Sequence, residues 1–523
     1  MNEPEAMRTF GLWLCVLFVL SWAGCDVMHP ATHSAADESK TALRDSSNAE
    51  YRSNAKVAYV ILDGISADVL EQVATPNLDA IAAAGGYARA TTGGEAGGYS
   101  QSPTASAIGY ANVLTGTWAN KHNVYTNAIR APRYNYWSLF RLVKEQQPER
   151  VTAIYSSWID NRTKLIGEGL PEAGDVSIDI VRDGYDVDTD SFPHDSAWVR
   201  GVDNHVARLA AESILSHGPD LSWVYLWYPD DTGHLYGDSE PYRESIRNAD
   251  EQMGWIWESI RRRINERGED WLVVVTTDHG RALPSGTGHG GQTPRERTVW
   301  FVTNSGELNG RFASTVRLDS IGNRAQAGPI LHGQGVREWA MAYELQHTDL
   351  YPSVAHHLGI EIPEHIAAEL DGAPFVGPVS VSGVEASLDA NAALHVKWTP
   401  WQADGGHENN AGTGSIPMAQ ILAAFTDSAT LGISDTYHQL AEVPLGNAEI
   451  RLNLLEAMPD SLRAEREQVR SALEGREELT IKIRVQGPHN GHNHWVILKR
   501  DTLISRLLGQ SPQGQSPEGQ SAR

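Results

Sequence analysis

Cysteine is nearly absent from this chain. Its two cysteines, Cys15 and Cys25, both fall near the start of 523 residues. The body can therefore build neither a disulfide framework nor a cysteine-rich zinc site, and it offers no thiol nucleophile. Positive charge is scarce too. Lys and Arg number 42 against 66 Asp and Glu, a formal net charge of −24. Such a balance argues against nucleic-acid duplex binding by bulk electrostatics. A phosphate ester can still be held where metal ions supply the local positive charge. Long apolar runs are also missing, with one exception.

That exception is residues 8–25, R-T-F-G-L-W-L-C-V-L-F-V-L-S-W-A-G-C. One Arg precedes an apolar run too short to span a bilayer comfortably, and small residues follow. This is the layout of a secretory signal. The ending Ala23-Gly24-Cys25 resembles a bacterial lipoprotein cleavage site. That resemblance implies a periplasmic or outer-surface protein whose only membrane contact is a lipid anchor on Cys25. Residues 26–55 are rich in Ser, Ala, Asp and Asn and read as a flexible linker.

What the body does contain is a repeated grammar of apolar run followed by polar end. Residues 56–62, K-V-A-Y-V-I-L, stop at Asp63-Gly64. Residues 271–275, W-L-V-V-V, lead through two Thr to Asp278-His279-Gly280, where Gly280 lets the chain turn sharply. Residues 221–229 end in Asp230-Asp231-Thr232-Gly233-His234. Short Val-rich runs of this kind fit strands buried on both faces of a parallel sheet. Further strands are expected at 151–158 and 298–303. Helices are expected at 75–85, with Thr-Pro at its start and Gly85 as its stop, and at 105–114, 203–217, 240–267 and 348–359. Residues 171–195 read as an insertion loop. From 379 the pattern turns to period-two runs, with a helical patch near 459–475.

The expected organisation is a signal peptide (1–25), a linker (26–55), a catalytic domain (56–377), a β-containing accessory module (378–508) and a disordered tail (509–523). The fold class is α/β, with a central mostly parallel sheet flanked by helices. In the accessory module, H-N-G-H-N-H at 489–494 reads as a solvated loop, because no carboxylates flank it.

In open α/β sheets, ligands bind at the carboxyl ends of the strands. The polar residues gathered there are Asp63, Ser106, Asp230, His234, Asp278, His279 and His289, the last from the Gly-rich loop 286–291. Asp230 and His234 can converge on one ion if their loop curls. Carboxylates and imidazoles together suit two divalent ions, zinc being the expected metal. Two such ions can clamp a displacement at phosphorus. Ser106 would sit in the first turn of its helix, where the dipole favours an anion, and so is a candidate nucleophile. Thr104 is the alternative, and both could simply be helix caps.

With these residues in family order, the stretch from about 57 to 375 resembles the alkaline phosphatase superfamily, in its nucleotide pyrophosphatase/type I phosphodiesterase branch. The resemblance implies an alkaline phosphatase-like fold and a metal-dependent phosphoric ester hydrolase acting on a small-molecule phosphate mono- or diester. It implies that Asp63, Asp278 and His279 hold one ion and that Asp230, His234 and His289 hold the other. It places Asn127 on the phosphoryl oxygen and Ser106 at the nucleophile. Two departures stand out. The branch uses Thr followed by a Pro-Asn/Gly-His run, whereas Ser106 is followed by Ala-Ile-Gly-Tyr. A Lys-x-Arg phosphate clamp is replaced by Asp160-Asn161-Arg162, which leaves Arg162, with Lys164 nearby, as the candidate phosphate ligand. No C-x-P-x-R-like stretch follows the first helix, which argues against a sulfatase. A phosphotransferase on the same fold and a non-catalytic surface-binding protein remain the alternative readings.

Overall fold

The Val-rich run becomes the strand β6 (Asp270–Thr276), one of seven in a single sheet. The others are β1 (Ala55–Leu62), β2 (Gly86–Thr91), β3 (Thr152–Ser156), β4 (Ile180–Arg182), β5 (Leu221–Leu226) and β7 (Thr298–Thr303). Their spatial order is β2-β7-β6-β1-β5-β3-β4. These strands come from a computed structural model, which describes residues 52–194, 197–314, 345–389, 393–401, 416–426, 435–457 and 478–499. The expected signal, most of the linker, the helical patch at 459–475 and the tail lie outside the described residues.

β1 is central and runs parallel to both β5 and β6, with Leu62 level with Leu226 and Ile61 level with Thr276. The carboxyl ends of three neighbouring strands therefore open on one edge. β7 alone runs against its neighbours. Alternate residues of β1 enter different cores. Val57, Tyr59 and Ile61 face one layer of helices, and Ala58, Val60 and Leu62 face the other. Burial on both faces explains why these strands read as continuous apolar runs. The helices Trp198–His217 and Glu240–Arg267 cover one face. The helix Ser106–Thr115, buried at every position, lies in the other layer.

Two strands depart from the sequence reading. β2 was not anticipated, because Arg89 interrupts its apolar character; that guanidinium is satisfied by Glu71. β4 is a three-residue strand inside the expected insertion loop 171–195. Among the described residues no helix is long and apolar enough to cross a membrane.

Beyond Val376, the strands β8 (Val381–Leu388), β9 (Ala393–Pro400), β10 (Met418–Thr426), β11 (His438–Pro444), β12 (Glu449–Asn453), β13 (Glu478–Gln486) and β14 (Gly491–Lys499) form two antiparallel sheets over a separate core that includes Val396, Trp398, Ile421 and Ile483. The H-N-G-H-N-H segment is not a solvated loop. It forms the turn into β14 and that strand's start, with His492 and Asn493 buried. The buried charges beside it form a closed network. Lys121 donates to Asp371 (2.7 Å), to the Glu369 carbonyl (2.7 Å) and to Asn493 (3.0 Å). Lys482 bridges Glu369 (2.6 Å) and Asp435 (2.8 Å). The Trp495 ring lies about 5 Å from both ammonium groups. Every charge in this network meets an opposite one, as burial in low dielectric requires.

Candidate metal centre and nucleophile

Two clusters of ligand-type atoms lie at the sheet edge, and both are drawn from the residues expected there. Asp63 follows β1, and Asp278 and His279 follow β6. Their ligand atoms lie within 4.8 Å of one another and are buried. His279 Nε2 is 3.2 Å from Asp278 Oδ2 and 3.6 Å from Asp63 Oδ1. None of these three atoms has a hydrogen-bond partner. The opposite carboxylate oxygens are taken. Asp63 Oδ2 accepts from the hydroxyls of Tyr110 and Tyr225, and Asp278 Oδ1 accepts from the Gly64 amide at 2.9 Å.

The second cluster is Asp230, His234 and His289. Asp230 and His234 do not lie on a curled loop. They sit one turn apart on the helix Tyr228–Tyr236, whose first turn carries Pro229. His234 Nε2 is 3.2 Å from Asp230 Oδ2, and His289 Nε2 is 3.8 Å from Asp230 Oδ1 and 3.0 Å from His234 Nε2. The rings of His279 and His289 stack at 3.7 Å and join the two clusters.

All three imidazoles are oriented in the same way. The Nδ1 of His279, His234 and His289 contact the carbonyls of Gly280, Thr287 and Thr104 at 3.0, 2.9 and 3.0 Å. A carbonyl can only accept, so Nδ1 carries the hydrogen and Nε2 presents a lone pair. Lone pairs and carboxylate oxygens thus converge with no hydrogen between them. This donor set fits divalent cations, and backbone carbonyls are common outer partners of ligating histidines.

The electrostatics agree. Burial, then the charges of Asp278 and Asp230, push the Asp63 carboxyl well up. Burial and the charge of Asp230 raise Asp278 to about 7. Burial drives His279 well down. Asp230 is also buried, yet the close His234, His279 and His289 imidazoles and the Arg281 guanidinium hold it below the usual carboxylate range.

Ser106 is the first residue of its helix, after the N-cap Ala105, and neither Ser106 nor Thr104 caps it. The Thr104 hydroxyl donates to the Gly291 carbonyl (2.8 Å) and accepts from the Gly290 amide (3.1 Å), so it is committed to the loop that carries His289. The Ala107 amide, free at the helix start, donates to Asn127 Oδ1 at 3.0 Å, which places Asn127 beside Ser106. Gly109 lets this helix lie directly on Asp278, since a Cβ there would come 2.6 Å from the Asp278 carbonyl oxygen. Arg162 is not brought to either cluster. It is bound by Asp183 and Glu168 (2.7 Å each), while Lys164 pairs with Asp160. Gly280 serves close approach rather than a special turn, because a Cβ would meet the Arg295 carbonyl at 2.0 Å.

Sequence reasoning passed over three residues. Tyr110 occupies the position of the branch's His after the nucleophile, and that departure was its only signal. Tyr225 lies within a strand and gave none. Arg281, directly after Asp-His-Gly, is fully buried and donates to Asp230 Oδ1 and to the carbonyls of Gly286 and Thr287.

Residues 57–288 match the model of the type I phosphodiesterase/nucleotide pyrophosphatase family. Human ectonucleotide pyrophosphatase/phosphodiesterase family member 7 is 27% identical over 240 residues, covering 43% of this chain and 47% of that protein. The rat protein of the same name is 24% identical over 240 residues, covering 43% and 49%. The chain thus spans about half the length of the curated relatives it matches. A solved structure of murine ectonucleotide pyrophosphatase/phosphodiesterase 5 is 18% identical with a TM-score of 0.30, covering 43% of this chain and 57% of that one. The matched region holds five of the six clustered ligands, all but His289, together with Ser106, and over it the chain is similar to the type I phosphodiesterase/nucleotide pyrophosphatase family.

Proposed function

We propose that this chain hydrolyses small-molecule phosphate esters through a phosphoserine at Ser106. Asp63, Asp278 and His279 would hold one divalent ion, and Asp230, His234 and His289 the other, with zinc as the expected metal. The observation that carries the reading is the convergence of six acceptor atoms, with no hydrogen among them, beside a serine at a helix start. When bound, the ions would supply positive charge for the phosphoryl group and lower the pKa of oxygens near them.

The residues supply the rest. Ser106 Oγ attacks phosphorus, the P–O bond to the leaving alcohol breaks, and the phosphoryl group passes to serine. The helix N-terminus and the Asn127 side-chain amide stabilise its oxygens. Water then cleaves the phosphoserine and restores the hydroxyl. The ion pairs of Arg162 with Asp183 and Glu168 favour a diester over the more charged monoester, because they engage the cation that would hold an extra phosphate oxygen. The chain is further proposed to be exported and tethered through a lipid on Cys25.

Purified protein should hold about two zinc ions per chain and cleave nitrophenyl phosphodiesters faster than monoesters, and Ser106→Ala should remove that activity. Protein that binds no metal and cleaves no ester overturns the proposal. Full activity in Ser106→Ala would reassign the nucleophile.

A further inference from the structure

We propose that the two ion sites are unequal, with Asp230/His234/His289 the exchangeable one and Arg281 a resident cation that competes there. The inference rests on the two-ion reading and adds an order of affinity to it.

The two sites are built from different surroundings. Around Asp63, Asp278 and His279 everything is buried, and the outer partners of the carboxylates are neutral: the hydroxyls of Tyr110, Tyr225 and Thr277 and the Gly64 amide. Among the described residues neither carboxylate has a Lys or Arg partner. Two uncompensated carboxylates then face a divalent ion. At the other site a single carboxylate faces the ion, and one of its oxygens already accepts from Arg281. The His234 side chain there is 47% exposed, so water reaches the site.

Arg281 is held firmly in place. Its guanidinium is threaded between two glycines, since a Cβ on Gly233 would lie 2.5 Å from its central carbon and one on Gly64 2.9 Å from a terminal nitrogen. Its other donors hold the carbonyls of Gly286 and Thr287, and the latter also orients His234. A fixed unit charge beside the ligand carboxylate opposes a second cation at the same place. Even at an effective dielectric of about 20 this repulsion amounts to more than a tenfold effect on affinity.

The test is a Zn²⁺ titration of metal-stripped protein against a chromophoric chelator, read as stoichiometry and affinity. Wild type should bind in two steps separated by about tenfold or more. Asp278→Asn should remove the tight step and His234→Ala the weak one. Arg281→Met should tighten the weak step by about tenfold and close the gap. The proposal is overturned by two equal steps, by a weak step that Asp278→Asn removes, or by Arg281→Met weakening the outer site about 10- to 100-fold, as loss of a purely supporting partner would. Should Arg281→Met fail to fold, the other two variants still assign the steps. Absence of any zinc binding would overturn the two-ion reading itself, an outcome distinct from two equal steps.

Discussion

Two buried polar clusters in this molecule follow opposite rules. Around Lys121 and Lys482 each charge meets an opposite charge, although Glu369 Oε2 has no hydrogen-bond partner of its own. Around Asp63, Asp278 and His279, three buried atoms have no partner at all. The first is a structural solution to burying charge. The second is destabilising unless something positive joins it, which is the usual mark of a site selected for function rather than stability. Changes in the network should therefore cost folding, and changes in the site should cost chemistry.

The sharpest test of this contrast is Ser106→Ala. It should lower phosphodiester hydrolysis about 10³-fold or more while the unfolding midpoint barely moves. Next is Lys482→Met, which takes away the ammonium group that pairs with the buried Glu369 carboxylate. It should lower unfolding free energy by about 3–5 kcal/mol in urea titrations and leave zinc stoichiometry unchanged in the folded protein.

Protons offer a third test. His122 and His492 are buried and held neutral, each lowered to about 3, mainly by burial. In the unfolded chain they titrate near 6.5, so the unfolded state binds more protons between these limits. Stability should fall as pH drops from about 6.5 towards 3. Each group contributes about 2–3 kcal/mol by pH 4.5, and His122→Gln should flatten the slope by that amount in urea midpoints measured across pH.

The site should behave in the reverse sense. In metal-free protein Asp278→Asn should raise stability by about 1–2 kcal/mol, because it removes a carboxylate whose charged form burial and Asp230 disfavour, while the amide oxygen can still accept from Gly64. Melting in chelator and in zinc should show the gain only without metal. The smallest effect belongs to Thr104→Val. Its hydroxyl serves the loop, so kcat should fall by less than about tenfold, as for loss of about one hydrogen bond. A loss as large as that of Ser106→Ala would reverse the nucleophile assignment.

The parts of the fold legible in sequence were those where one local rule decides. β1, β5 and β6 are buried on both faces, so their runs are continuously apolar and their polar ends stand out. The helix with Pro76 in its first turn and Gly85 behind it is read from its ends. Where contacts distant in sequence decide, the reading failed. β2 is a strand because it pairs with β7 and because Glu71 satisfies Arg89, neither of which is visible locally. The start of β14 resembles a polar loop until Lys121 and Asp371 are placed against it. Asp230 and His234 were assigned to a curled loop although Pro229, followed by two acidic residues, marks a helix start. At the site, residue types at strand ends were legible, while the tyrosines and Arg281 that orient them were not. Their roles depend on strands and loops that meet only after folding.

Gly109 carries a last consequence. The spacing between the nucleophile's helix and Asp278 is set by a side chain that is not there. One added methyl group would lift the helix and withdraw Ser106, with every ligand and the hydroxyl still present. Two proteins could thus share the complete set of reactive residues and differ in whether they react at all. In this fold a roster of functional groups measures capacity, and the ruler that turns capacity into rate is a missing carbon atom.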